Sequence, residues 1–332
     1  DVHYNLARAG GDAKAQLNAL EKLPASDPAG HFARFECLHR LGQHDLGFEH
    51  LIKANALRAG TAGFDPAREV ALFTWLARMQ PARPAEMVPL TGPRPVFIVG
   101  LPRSGTTLAE RILGQSAGVQ MGGELPIASG TVAPLLRAMQ EQGRAHPRAD
   151  DIAALRRQLD AGFAARSDGR PVLVDKMPLN FRWVGLLRAA LPEARFVHMT
   201  RDAIPLAFSL LRHAFAGRGN GFCYDPAHIV VYMALHKALT GGWAARFGDV
   251  IHTLHYGDLV ANPEQQAKAL CAACGVEWSA RNLRPEDSGA PGLTASNMQV
   301  RRPIAPGADE GWHPYRTGMA PIIAALKAAG VT

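Results

Sequence analysis

The sequence predicts an α/β fold: a parallel sheet flanked by helices, preceded by a small all-helical segment. Three observations carry this. From residue 95 onward, short continuous apolar runs alternate with stretches of helical spacing. Before about residue 85 only helical spacing is visible. Between the two, Pro81 to Pro95 is proline-rich and marks a linker. The expected division is therefore a helical, tetratricopeptide-like segment over 1–85 and an α/β domain over 90–332. A chain of 332 residues, 47% hydrophobic and 20% charged, is long enough to bury a core in each.

In chain order, Phe32 to Leu57 predicts two helices around Leu41-Gly42-Gln43-His44, with Leu38, Leu41, Phe48, Leu51 and Ala54 at helical spacing. Leu38, Leu41, Gly42 and Ala54 fall where a tetratricopeptide repeat would place them. One repeat cannot bury its own face, so it packs on the rest of the chain or on further repeats. An ordinary helical cap on the next domain accounts for the pattern equally well.

Pro95 to Val99 is a strand apolar on both faces, followed by a helix with Leu108, Ile112 and Leu113 inward. Residues 131–167 form a helical excursion. Val172 to Val174 is the second strand, with a helix through Phe181, Val184, Leu187 and Leu191. Phe196 to Met199 is the third, with a helix through Leu206, Leu210 and His213. Asp225-Pro226 starts a long helix carrying Ile229, Tyr232, Met233, His236, Leu239 and Trp243. Val250 to Tyr256 is the fourth strand, and Asn262-Pro263 opens the next helix as cap and first residue.

The four cysteines are too few for a disulfide framework, and Cys271-x-x-Cys274 lacks a second pair to complete a zinc set. The formal charge of +7 favours an anionic ligand. The basic residues are spread and form no tract of the kind that binds nucleic acid. No apolar run approaches the roughly 20 residues of a membrane span. Asp1-Val2-His3-Tyr4 has neither the basic nor the apolar region of a signal peptide, so a cytoplasmic location is expected, with a leader or further repeats before Asp1 left open.

The chemistry concentrates after the first strand, at Gly100-Leu101-Pro102-Arg103-Ser104-Gly105-Thr106-Thr107-Leu108. Two glycines five apart between a buried strand and a helix make a phosphate-cradling loop of P-loop type. Thr106 stands where a nucleotidase places its lysine, and Arg103 supplies the cation instead. Arg201 ends the third strand, and Ser209 lies two turns into the following helix, so both are expected at one phosphate.

These blocks resemble the two phosphate sites of sulfotransferases that use 3′-phosphoadenosine 5′-phosphosulfate (PAPS). Pro102 to Leu108 resembles their 5′-phosphosulfate loop, and Arg201 with Ser209 their 3′-phosphate site. The form with Arg103 before Ser104 is that of tyrosylprotein sulfotransferases and of bacterial sulfotransferases with tetratricopeptide repeats. The resemblance runs from about residue 95 to about 315. It implies that Glu124 is the catalytic base, Lys176 the catalytic lysine and Ser296 a contact of the transferring group. It also implies that Tyr256 lies beside the adenosine and that residues 284–316, with Arg301, Arg302 and Trp312, cover the cofactor. Arg103, Ser104, Gly105, Thr106, Thr107, Leu108, Arg201, Ser209, Tyr256 and Arg302 are the expected donor contacts.

No histidine lies near Lys176, where cytosolic small-molecule sulfotransferases keep their base, which leaves that role to Glu124. The implied reaction moves a sulfuryl group from PAPS to an acceptor hydroxyl without a metal. The acceptor, a peptide tyrosine, a sugar or a phenol, is left open, with a protein contact through the helical segment as one source. The competing reading is a P-loop kinase or hydrolase using ATP and magnesium, since Val172-Leu173-Val174-Asp175 has the form of a Walker B strand.

Overall fold

Strands β1 (Arg94–Gly100), β2 (Val119–Met121), β3 (Val172–Asp175), β4 (Arg195–Thr200) and β5 (Ile251–His255) form one parallel sheet in the order β2-β3-β1-β4-β5. They come from a computed structural model that describes residues 2–82, 84, 86–215, 219–288 and 310–331. The chain divides into two compact units: residues 70–201 with 236–306, which hold the sheet, and residues 1–69 with 202–235 and 307–332.

In the sheet unit, β1 is apolar on both faces because helices cover both. On one face Val96 and Ile98 join Val172, Val174, Val197 and Met199 beneath Leu108, Ile112 and Leu113 of helix Thr106–Gly114. Helix Pro263–Cys274 closes that face with Leu270, Cys271 and Cys274. On the other face Phe97 stacks on Phe196 at 5.3 Å and meets Phe163 edge-on at 5.8 Å. Phe163 belongs to helix Ala149–Ala164, which with Ile127–Glu141 makes up the expected excursion. Cys271 and Cys274 are free and buried, and burial pushes the Cys274 thiol up to about 12. They are core residues, not a redox pair.

The sheet differs from the sequence reading in two places. The edge strand β2 was not anticipated: it is three residues long, with only Val119 fully buried. Tyr256 starts a short helix, Tyr256–Ala261, instead of ending β5. Helix Pro263–Cys274 begins at the expected proline, although the Asn262 side chain makes no capping bond.

In the other unit, helices Pro28–Arg40 and His44–Ala62 form the expected hairpin, turning at Gly42 (φ 73°). Leu38, Leu51 and Ala54 are buried, whereas Leu41 is exposed. Distant parts of the same chain cover the hairpin's face. Tyr315 stacks on Phe208 at 4.9 Å, packs on Phe35 at 5.6 Å and shares a 2.7 Å hydrogen bond with His39 Nδ1. The Arg212 guanidinium donates to both oxygens of buried Glu36 at 3.0 and 3.1 Å. Part of the apolar surface that a lone repeat would leave bare is thus buried within the chain, while Leu41, Leu46 and Leu57 remain exposed.

Candidate active site

Parallel pairing places all five carboxyl strand ends on one edge of the sheet, where open α/β sheets bind their ligands. Each end leads into a residue singled out from the sequence. Glu124 follows β2, Lys176 follows β3, the glycine loop follows β1, Arg201 follows β4 and Tyr256 follows β5.

The β1 loop is strained in a way that suits an anion. Gly105 has φ 103°, and a Cβ there would lie 2.6 Å from the Tyr256 ring, so only glycine fits. Arg103 has φ 70°, the one positive φ outside glycine among the described residues. Such backbone strain gathers at ligand sites, where the surroundings hold it in place. Ser104 is buried, and its hydroxyl donates to the Leu101 carbonyl at 2.7 Å, bracing the loop. Helix Thr106–Gly114 then begins, and its first N–H groups have no partner within the helix. They add to the positive end of the helix dipole at the loop.

Chain direction reverses between β1, which leads left to β2, and β4, which leads right to β5. At that switch point the Arg201 guanidinium donates to the Arg103 carbonyl at 2.8 Å and lies 4.8 Å from the centre of the Tyr256 ring. Arg103, Gly105, Arg201 and Tyr256 are thereby held together. Ser209 is buried on helix Ala203–Leu211 of the other unit. Leu108 and Thr107 are buried in the first turn of the loop helix. Ser296, Arg301 and Arg302 lie outside the described residues.

The second group of side chains sits past β2 and β3. Lys176 Nζ donates to Glu124 Oε1 at 2.7 Å. The Lys176 side chain is 1% exposed and that of Glu124 43% exposed, so the carboxylate faces solvent while its partner lies inside. Two further carboxyls, whose roles the sequence did not reveal, lie beneath. The Gly123 N–H donates to Glu110 Oε1 at 2.8 Å, and the Lys176 N–H donates to the Gly123 carbonyl at 2.8 Å. Burial raises the Glu110 carboxyl, an effect opposed first by the Lys176 charge. Asp175 is fully buried, and burial pushes it up to about 8. The Leu125 N–H at 3.4 Å and the Asn180 amide at 3.1 Å reach its two oxygens.

Asp175 is thus shielded from solvent and braced inside the protein through both of its oxygens. The sequence signal for Glu110 was its position: a lone acid four residues after Thr106, at a place where the helix otherwise turns apolar residues inward.

His198 on β4 and His236 meet Nε2 to Nε2 at 3.2 Å inside the core, and burial lowers both, His198 to about 4. Among the described residues no helix is long and apolar enough to cross a membrane, and no cluster of His, Cys, Asp and Glu has the form of a metal site.

Comparison with known proteins bears on the family and the fold. An uncharacterized protein of Aquifex aeolicus is 30% identical over 311 residues, covering 89% of this chain and 41% of its own length. Protein-tyrosine sulfotransferase 2 of Gallus gallus is 26% identical over 229 residues, covering 63% of this chain and 60% of its own. The chain thus spans about two fifths to three fifths of the curated relatives it matches. Among solved structures, the sulfotransferase domain of the Synechococcus PCC 7002 olefin synthase shares the fold. It has a TM-score of 0.50 at 19% identity, over 70% of this chain and 91% of that one. The family model for the sulfotransferase family matches residues 95–280, more than half of the chain and all five strands, and the chain belongs to that family.

Proposed function

We propose that this chain transfers a sulfuryl group from PAPS to an acceptor hydroxyl, with Glu124 as general base and without a metal. The observation that carries the reading is the meeting of Glu124, Lys176, the glycine loop and Arg201 along one sheet edge. The residues present fit the donor. Gly105 lets the loop turn with the Tyr256 ring close against it, the helix start offers N–H groups, and Arg103 and Arg201 add fixed charge.

Bound PAPS supplies the sulfuryl group and a bisphosphate leaving group. Glu124, exposed at the edge, takes the proton of the incoming hydroxyl. Lys176, with Arg103 and the loop N–H groups, stabilises the charge that develops as the leaving group departs. Arg201 holds the 3′-phosphate, and the Tyr256 ring packs beside the adenosine. In this reading the transferring part is 90–332, and the helical segment 1–85 is where a protein acceptor makes contact. The likeness to protein-tyrosine sulfotransferases makes a tyrosine in a peptide the first acceptor to try, ahead of sugars and simple phenols.

The test is calorimetric. Adenosine 3′,5′-bisphosphate should bind at least about tenfold tighter than 5′-AMP, because Arg201 makes charge-assisted hydrogen bonds to the additional phosphate. Arg201→Ala should remove most of that preference. Equal affinities, or binding that needs magnesium, would overturn the assignment and return the chain to the kinase or hydrolase reading.

A further inference from the structure

The Glu124–Lys176 pair points to a further residue. For Glu124 to take the acceptor proton while Lys176 turns its charge to the leaving oxygen, the two side chains must keep their places, and Glu124 sits in a short turn after a three-residue strand.

Resting on the sulfotransferase reading, we infer that Glu110 is a positioning residue. It anchors the Gly122–Glu124 turn, and through that turn it sets Glu124 against Lys176.

The geometry supports both halves. Glu110 is 6% exposed, so an acceptor cannot reach it, and it is unsuited to be the base itself. Its Oε1 accepts the Gly123 N–H, one residue before Glu124, at 2.8 Å. The same Gly123 peptide accepts the Lys176 N–H through its carbonyl. One buried carboxylate is thus tied to both members of the Glu124–Lys176 pair. Burial raises the Glu110 carboxyl, with Lys176, the Gly123 N–H and Arg111 opposing the shift and Glu124 adding to it. The hydrogen bond from Gly123 needs only an acceptor oxygen, which the carboxyl offers in either protonation state.

Two variants and two measurements test this. Glu110→Gln keeps the shape and the acceptor for Gly123 but removes the charge, whereas Glu110→Ala removes both. Amide hydrogen exchange on the ligand-free protein reads the anchor. The Gly123 amide should exchange at least about tenfold faster in Glu110→Ala and change little in Glu110→Gln. Turnover of radiolabelled PAPS, with tyrosine peptides and simple phenols as acceptors, reads the placement of Glu124. In Glu110→Ala, kcat should fall by about tenfold or more while the KM for PAPS moves much less, and Glu110→Gln should restore most of that loss.

Unchanged Gly123 exchange in Glu110→Ala would overturn the anchoring role. An unchanged kcat in Glu110→Ala, or a loss that Glu110→Gln shares in full, would overturn the placement of Glu124 through Glu110, as would a loss appearing only in KM. Failure of the sulfotransferase reading has a separate signature: the wild-type protein would transfer to none of the acceptors and show no preference for adenosine 3′,5′-bisphosphate. Exchange at Gly123 would then still decide whether Glu110 anchors the turn.

Discussion

Replacing Lys176 by methionine separates stability from chemistry more sharply than any other single change at the sheet edge. The described acceptor of Lys176 Nζ is Glu124 Oε1 at 2.7 Å, and that carboxylate is 43% exposed. Fully buried, such a charge-assisted bond would contribute about 1.5–3 kcal/mol. With one partner in water it is screened, and its contribution falls to about 1 kcal/mol or less. Against this stands the cost of burying the ammonium, an effective penalty of several kcal/mol that methionine does not carry. The apolar stem packs as before. The folded state should therefore change by no more than about 1–2 kcal/mol, and the change can be a gain.

Turnover should behave differently, because the ammonium acts on charge that appears only as the leaving group departs. A loss of about 10²–10³-fold, or about 2.7–4 kcal/mol, is expected at saturating donor, with donor affinity changed far less. Urea denaturation gives the first quantity, and saturating and single-turnover kinetics give the second. A Lys176→Met protein that turns over normally would refute the transition-state argument. One that binds adenosine 3′,5′-bisphosphate poorly yet reacts at the wild-type rate when saturated would make Lys176 a donor anchor instead.

Three further outcomes follow from the same geometry. Glu124→Gln cannot accept a proton, so turnover should fall by about 10²–10⁴-fold with adenosine bisphosphate affinity retained; wild-type turnover in this variant would remove Glu124 from the role of base. Asp175 has a folded-state pKa raised from 3.8 to about 8, so the native state holds a proton that the unfolded chain releases. Its contribution to stability is thus greatest at low pH and is lost as pH rises toward 8. Asp175→Asn should flatten this part of the stability profile between about pH 4 and 8, measured by denaturation across the range. Gly105→Ala must tolerate φ 103° and a Cβ 2.6 Å from the Tyr256 ring. It should lose about 1–2 kcal/mol or more from backbone strain alone and bind the bisphosphate more weakly; a thermal melt and titration matching wild type would show that the loop is free to reshape.

The sequence by itself determined much of this protein. Its apolar runs at 95–99, 172–174 and 196–199 could only be strands covered on both sides, because nothing in them faces water. The glycines at 100 and 105 marked the anion loop, since a left-handed turn leaves a local signature that needs no tertiary context. The end-of-strand placement of Lys176, Arg201 and Tyr256 was legible for a related reason: in a parallel sheet, strand ends share an edge whatever the order of the strands. Glu124 was singled out only by the family resemblance, its strand unseen.

What the sequence could not show depended on contacts between residues far apart in the chain. The strand β2 is too short to carry a pattern and exists because β3 offers it an edge. The helical hairpin near the N-terminus finds its cover in residues 202–235 and 307–332, a pairing that no local periodicity encodes. The roles of Glu110 and Asp175 emerged only with folding. An acid in a helix and an acid at the end of a strand look ordinary until packing removes them from water; burial then favours the protonated form of both and sets Glu110 Oε1 against the Gly123 N–H.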